Sequence, residues 1–277
     1  MTVERASTSN KIGVDNMKAA GKIFKVDTAY SDRIQRRTGV RPLSTVIKTL
    51  ELLDVLASSP RAMKLPEIAR AGGLSRPTAY QRLLTFIEAG WVEQDEELRY
   101  RISMHACRAG AAALEHADLG HRMQPVLEAL VYQVKETASV AVLDRGLPCI
   151  VSRVESESLL RAEQKIGTVL SLDGSASGRV LTAFAGAATL ARLREGPEPV
   201  APEEVLLTVR SRGYALSSGY THSGVIAIAA PIFDFQRRCV ATLSLVMPQT
   251  RFQVEALKGP LLQAAETITG MQQGSHR

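Results

Sequence analysis

The chain has 277 residues, 45% hydrophobic and 22% charged, which fits one large or two ordinary globular domains with room for a full core. Its longest nearly apolar stretches, Val180–Ala191 and Val225–Phe233, fall short of the ~20 residues a bilayer-crossing helix needs, so no membrane partner is expected. The net charge of +6 is lopsided: residues 1–41 hold nine Lys/Arg against four Asp/Glu, leaving the other residues near balance, a distribution that suits a polyanionic partner or a plain solvated leader.

The first residues, "MTVERASTSNKIGVDN", have no apolar core and no cleavage signal, so secretion is not expected. Three widely spaced cysteines, Cys107, Cys149 and Cys239, suit reduced thiols in a cytoplasmic protein better than a disulfide framework.

Residues 1–38 show little periodicity and read as a basic flexible arm. Pro42 then opens a helix in which Leu43, Val46, Ile47, Leu50 and Leu53 recur at helical spacing, until Ser58-Ser59-Pro60 stops it. Pro66 starts a short helix that Gly72-Gly73 ends. Ser75 is a good N-cap for a third helix, which tolerates Pro77 in its first turn and ends at Gly90. "WVEQDEELRYRIS" then reads as two short strands around an acidic turn. Three helices and a hairpin predict a winged helix-turn-helix over residues 39–103. On the third helix Ala79, Leu83, Phe86 and Ile87 share one face, and Thr78, Gln81, Arg82 and Thr85 share the other. That second face is polar and free of acids, as an element approaching phosphates and base edges requires, although a solvated face has the same look.

From Ile102 the sequence turns alanine-rich. Ala106, Gly110, Ala113 and Ala117 form a seam of small residues, suited to close pairing with another subunit or to packing on the same domain. This linker helix is expected over 104–119, with an amphipathic helix after Gly120. Residues 120–277 alternate hairpins and helices: "TASVAVLD" and "PCIVSRVE" joined by "RGL", short strands at "LLRAEQ", "TVLSL" and "YALSS", and a helix over Ser175–Gly186. Beyond the proline-rich "EGPEPVAPEE" come a helix ending at Arg212-Gly213, a second hairpin, "VIAIAAPIF" with "CVATLSLVM", and a closing helix over Val254–Thr269. The fold class predicted is α+β, with a mostly antiparallel sheet and helices on its faces.

No catalytic set emerges. "GSASG" has Ala176 where a nucleophile elbow needs serine, and no phosphate-binding glycine loop is present. The five histidines have no Cys or His partner at zinc spacing, so neither metal nor cofactor is expected. Ser171, Ser175, Ser177, Ser217, Ser218, Tyr220 and Thr221, with Gly167, Gly174 and Gly219 beside them, could offer neutral hydrogen bonds to a small molecule. Ordinary capping explains some of them.

Taken in order, "TLELLDVLASSPRAMKLPEIARAGGLSRPTAYQRLL", "GWVEQDEELRYRI", "LSLDGSASGRVLTAF", "RSRGYALS" and "GVIAIAAPIFDF…VATLSLVMP" resemble the IclR family of bacterial transcription regulators across residues 43–270. The resemblance implies a winged helix-turn-helix, a linker helix and a GAF-like effector domain. It also implies homodimers or dimers of dimers on pseudo-palindromic double-stranded DNA, and control of catabolic operons by a small organic acid or aromatic effector. It assigns Ser75, Arg76, Thr78, Tyr80, Gln81 and Arg82 to the recognition helix and Arg99 and Arg101 to the wing. It assigns Gly174, Ser175, Ala176, Ser177, Ser217 and Ala227 to the effector pocket. Two departures stand out. Gln81 occupies a place where the family often has arginine, with Arg82 following. Gly219-Tyr220 replaces a segment that often holds glutamate, which points to Tyr220 in the pocket and an aromatic effector. The competing reading is a metabolite-binding or enzymatic protein whose helical N-terminal part is a dimerisation module.

Overall fold

The computed structural model describes residues 38–116, 119–159, 165–219 and 224–274. The basic arm, most of the strand expected at "LLRAEQ", and Tyr220 and Thr221 lie outside them. The chain divides into two compact units, Met1–Gly110 and Ala111–Arg277.

The first unit runs α1 (Ser44–Ala57), β1 (Met63–Lys64), α2 (Leu65–Ala71), α3 (Arg76–Glu88), β2 (Val92–Gln94) and β3 (Arg99–Ile102). Helix α1 begins at Ser44, two residues after the proline expected to open it. Of its apolar recurrence, Leu43, Val46 and Leu50 are exposed, and Leu52 and Leu56 make the buried contact. Glycines end both helices of the helix-turn-helix. After α2 the Leu74 N–H bonds the Ala69 carbonyl (2.9 Å) and the Gly73 N–H bonds that of Arg70 (3.3 Å), with Gly73 at φ +61°. After α3, Trp91 bonds Phe86 (2.8 Å) and Gly90 bonds Ile87 (3.0 Å), with Gly90 at φ +76°. Both are Schellman closures, which need a left-handed residue and so place glycine there. Leu52, Leu56, Met63, Ile68, Leu83, Phe86, Val92 and Tyr100 form the core. Strand β1, absent from the sequence reading, pairs Met63 with Tyr100 and makes the hairpin three-stranded, in the order β1-β3-β2.

Helix α4 (His105–His116) crosses the division at Gly110. Residues 107–113 on it are exposed, including Gly110 and Ala113 of the small-residue seam. Ala117 is outside the described residues.

The second unit holds α5 (Gln124–Val134), β4 (Thr137–Asp144), β5 (Leu147–Val154), α6 (Ala176–Ala183), α7 (Ala187–Arg194), α8 (Glu203–Arg212), β6 (Ala215–Ser218), β7 (Val225–Phe233), β8 (Cys239–Pro248) and α9 (Val254–Gly274). The strands form one antiparallel five-stranded sheet in the order β5-β4-β8-β7-β6. Alternation along each strand divides the residues between two faces. Ala138, Val140, Ile226, Ile228, Leu243 and Leu245 pack under α5 and α9. Ala215 and Ala229 pack under α6 and α8. The α+β arrangement, with helices on both faces, matches the expectation. Two details differ. The helix expected over Ser175–Gly186 stops at Ala183, and α7 follows as a separate helix. "TVLSL" contributes only an isolated bridge, Cys149 to Val169, because the chain turns into the α6 cap within a few residues.

Candidate nucleic-acid interface and small-molecule site

The residues expected at DNA cluster on α3 and the hairpin. Ser75 caps α3: its hydroxyl accepts from the Thr78 N–H (3.3 Å) and shares a 2.8 Å hydrogen bond with the Thr78 hydroxyl. Thr78 is therefore occupied in the cap. Arg76 and Gln81 are exposed, and the large Tyr80 side chain is 46% exposed. Ala79, Leu83 and Phe86 are buried on the opposite side. The first turn carries no acid, and Glu88 is the last residue of the helix, about 18 Å along the axis from Arg76 at ~1.5 Å per residue. Arg82 is placed differently from its neighbours: Nη1 donates to the Lys48 carbonyl in α1 (2.7 Å), which ties the two helices together.

The wing arginines are engaged by carboxylates. Arg99 Nε bonds Asp95 Oδ2 and Nη2 bonds Glu97 Oε2, each at 2.8 Å, and Arg101 Nε bonds Glu93 Oε1 at 2.7 Å. Burial works to raise the Asp95 carboxyl, but the backbone N–H groups of Arg99 and Glu97 and the Arg99 guanidinium outweigh it and hold Asp95 below its ordinary range. The hydrogen bond to Asp95 in turn pushes Arg99 up. Burial, then the Tyr80 phenol, raise the Tyr100 hydroxyl.

In the second unit, the register defines the sheet face below α6. Arg153, Ser139, Ser244, Ala229 and Ala215 stand opposite one another across the five strands. Two residues along β7 the next row reads Thr137, Val246, Ala227 and Ser217. Ser139 and Ser244 share a 2.9 Å hydroxyl–hydroxyl bond. This floor is small and hydroxylated, and only Arg153 on it is charged. Glu155 pairs with that guanidinium.

The cover is the start of α6. The Ser175 hydroxyl donates to the Ser171 carbonyl (2.6 Å) and accepts from the Gly178 N–H (2.9 Å), while the Gly174 N–H bonds the Ser171 hydroxyl (2.9 Å). Ser175 is thus occupied in a cap, and Gly174 in the turn before it. Ala176 is buried in the α6–α8 cluster. A Cβ at Gly178 would lie 2.1 Å from the Ser171 carbonyl oxygen, so only glycine lets α6 start this close to the loop. Ser177 is 3% exposed and Ser217 9% exposed, and neither hydroxyl has a hydrogen-bond partner among the described residues. Thr242 and Thr182 are fully buried, and their hydroxyls are unpartnered too. Ser217 faces Ala227 directly across the β6–β7 pair. Of the expected pocket residues, Gly174 to Ser177 come together on α6 and its cap, and Ser217 and Ala227 on the sheet. Tyr220 lies outside the described residues.

Sequence reading missed Ser139, Thr242, Ser244 and Arg179. A signal existed for the first three: hydroxyls at period two in "TASVAVLD" and "CVATLSLVM", which places them on one face. Among the described residues no group of three or more His, Cys, Asp or Glu could hold a metal. Burial pushes the Cys239 thiol up to about 12, which makes it a packing group rather than a nucleophile. No described helix is long and apolar enough to cross a membrane.

Comparison with known proteins matches residues 111–270 to the family described as bacterial transcriptional regulator IclR C-terminal, and residues 45–96 to the IclR helix-turn-helix domain. The chain is similar to the HTH-type transcriptional regulator BhcR of Paracoccus denitrificans, 30% identical over 246 residues, covering 83% of this chain and 87% of that one. Among solved structures it is similar to Pseudomonas aeruginosa HmgR (27% identity, TM-score 0.70, 83% of this chain and 99% of that one). It also shares its fold with an IclR homolog from Microbacterium hydrocarbonoxydans complexed with 4-hydroxybenzoate (22% identity, TM-score 0.69, 83% and 98% covered).

Proposed function

Because this chain belongs to the IclR family of bacterial transcriptional regulators, whose helix-turn-helix binds DNA, we propose that it controls a catabolic operon in response to a small aromatic effector. In this reading it acts in the cytoplasm as a homodimer, or a dimer of dimers, on a pseudo-palindromic operator. The observation that carries it is the outward side of α3: Arg76, Tyr80 and Gln81 exposed together in an acid-free stretch behind a capped N-terminus. Such a face can approach phosphates without like-charge repulsion and still offer hydrogen bonds to base edges.

The small-molecule half rests on chemistry of the floor. Ser139 and Ser244 bond each other, which leaves the Ser177 and Ser217 hydroxyls for a ligand; the other floor side chains are small, and the Arg153 guanidinium is paired. A flat ring with one polar end suits that surface better than a multiply charged ligand. The 4-hydroxybenzoate complex of the Microbacterium hydrocarbonoxydans homolog agrees in kind. The wing contributes little attraction to phosphate in this reading, since Arg99 and Arg101 are neutralised by three carboxylates.

A gel-shift titration against the protein's own promoter region, in a salt series, tests the DNA half. Arg76→Ala is expected to weaken binding by ~1–3 kcal/mol if Arg76 reads a base, or to lower the salt slope by about 1 if it meets a phosphate. Unchanged affinity and slope refute the α3 assignment.

A further inference from the structure

The two unpartnered serines of the small-molecule site sit on segments that are far apart in sequence. Ser177 is in the first turn of α6, and Ser217 is on β6. One side chain joins those segments. Arg179, half-buried, donates from Nε to the Asp173 carbonyl in the loop before α6 (2.6 Å) and from Nη1 to the Leu216 carbonyl on β6 (2.7 Å). Its Nη2 also lies 3.8 Å from Asp173 Oδ1. Strand β6 is at the edge of the sheet, so the Leu216 carbonyl takes a guanidinium in place of a neighbouring strand. The loop carbonyl and the strand carbonyl are thereby held by one rigid fork.

We propose that Arg179 is the positioning residue of the effector site: it fixes the Asp173–Ser177 turn against Leu216–Ser217, so that the Ser177 and Ser217 hydroxyls are presented to one ligand. This rests on the reading of residues 111–277 as an effector unit. The physical case is the fork itself. A guanidinium offers five donors in a planar array, so two bonds to two carbonyls fix both distance and angle. A lysine ammonium at the end of a flexible stem holds either carbonyl but sets no angle between them. Gly178 makes the arrangement tight from the other side, because α6 starts in direct contact with the Ser171 and Leu172 carbonyls. Arg179 supplies no contact to the ligand, and its effect is on where the contacts stand.

The test uses full-length protein carrying Arg179→Met or Arg179→Lys. Hydrogen exchange needs no ligand. The Gly174 and Gly178 amides report the loop, through their bonds to Ser171 and Ser175, and the Gly219 amide, bonded to the Val225 carbonyl, reports the end of β6. Arg179→Met is expected to speed exchange at least tenfold at both places and to leave β4 and β8 unchanged. Arg179→Lys should give an intermediate effect at one place or both. Calorimetric titration with 4-hydroxybenzoate is the second arm. Where the wild type binds it, Arg179→Met should weaken binding at least tenfold while operator affinity without ligand holds. Exchange unchanged at either place overturns the proposal. So does faster exchange throughout the unit, which marks a merely structural arginine, or faster exchange at both places with ligand affinity intact. If the wild type ignores 4-hydroxybenzoate, the aromatic reading of the site fails separately, and the exchange result alone decides the clamp.

Discussion

At the scale of single residues, several groups that looked alike in sequence divide by what they touch. Arg76 and Arg82 both sit on α3, yet among the described residues Arg76 has no partner, while Arg82 is a strut to α1. Replacing Arg82 therefore removes an internal hydrogen bond, and any loss of DNA binding that follows is partly a loss of fold. Gly178 gives a sharper case. Its added Cβ would meet Ser171 and Leu172 carbonyl oxygens at 2.1 and 2.6 Å, backbone atoms that cannot rotate away. Gly178→Ala is expected to destabilise the second unit by ~1–3 kcal/mol, in the range of core overpacking. Chemical denaturation followed by circular dichroism reads this, and an unchanged midpoint would show that α6 can lift off the loop at no cost. Caps were legible in the sequence because the rule is local: Ser75 and Ser175 both precede their helices and both bond the third backbone N–H. The Arg82–Lys48 and Arg179–Leu216 contacts were not legible, because each spans more than thirty residues and depends on how close two elements pack.

At the scale of elements, helices and long strands followed from periodicity, and the misses are short pieces that owe their existence to a neighbour. Strand β1 has two residues and forms only because β3 leaves an edge beside it. The wing is tied by charge as well as by its ladder. Asp95 accepts from the backbone N–H groups of Glu97 and Arg99 and from the Arg99 guanidinium, across the turn where Leu98 is held at φ +59°. Since its folded-state pKa lies below the ordinary value of 3.8, Asp95 contributes stability at pH above that value, and the contribution is lost as pH falls through the lower folded value. The wild-type wing should therefore be insensitive to pH near neutrality and loosen in acid. Asp95→Asn should be less stable at pH 7 and show a flatter acid limb. The fluorescence of Trp91, the residue before β2, reports both, and parallel acid limbs would refute the role given to Asp95. Helix α4 poses a different question. A Cβ on Gly110 meets nothing within 4 Å in the single chain. If the seam is free, Gly110→Leu is tolerated. If it pairs with a second subunit, as small residues on an exposed helix permit, the bulk forces the helices apart. Sedimentation of wild type and variant separates the cases: the homodimer reading expects a shift toward monomer of at least tenfold in the dissociation constant.

At the scale of the whole chain, the two units have separate cores, one around Leu52, Ile68 and Leu83, the other around the five-stranded sheet. Two cores allow two cooperative transitions, and a thermal scan is expected to resolve them. The proposed function gives each transition its own ligand. A molecule that binds only the folded form of a unit stabilises it by ~2.7 kcal/mol at a hundred times its dissociation constant. Operator DNA should raise the transition of residues 38–110, and an effector should raise that of 111–277. In a scan of full-length protein, the operator duplex should move one transition and leave the other in place, in a salt-dependent way; a bound aromatic acid should do the reverse. The reciprocal experiment carries the regulatory claim. Binding free energies at linked sites are coupled symmetrically, so an effector that changes DNA affinity 5- to 150-fold, or about 1–3 kcal/mol, must have its own affinity changed by the same factor when operator is present. Titrating the acid into free protein and into protein saturated with duplex measures that factor directly. Equal affinities in the two titrations would mean that the second unit binds its ligand without informing the first, and the chain would then be two binding modules sharing a helix.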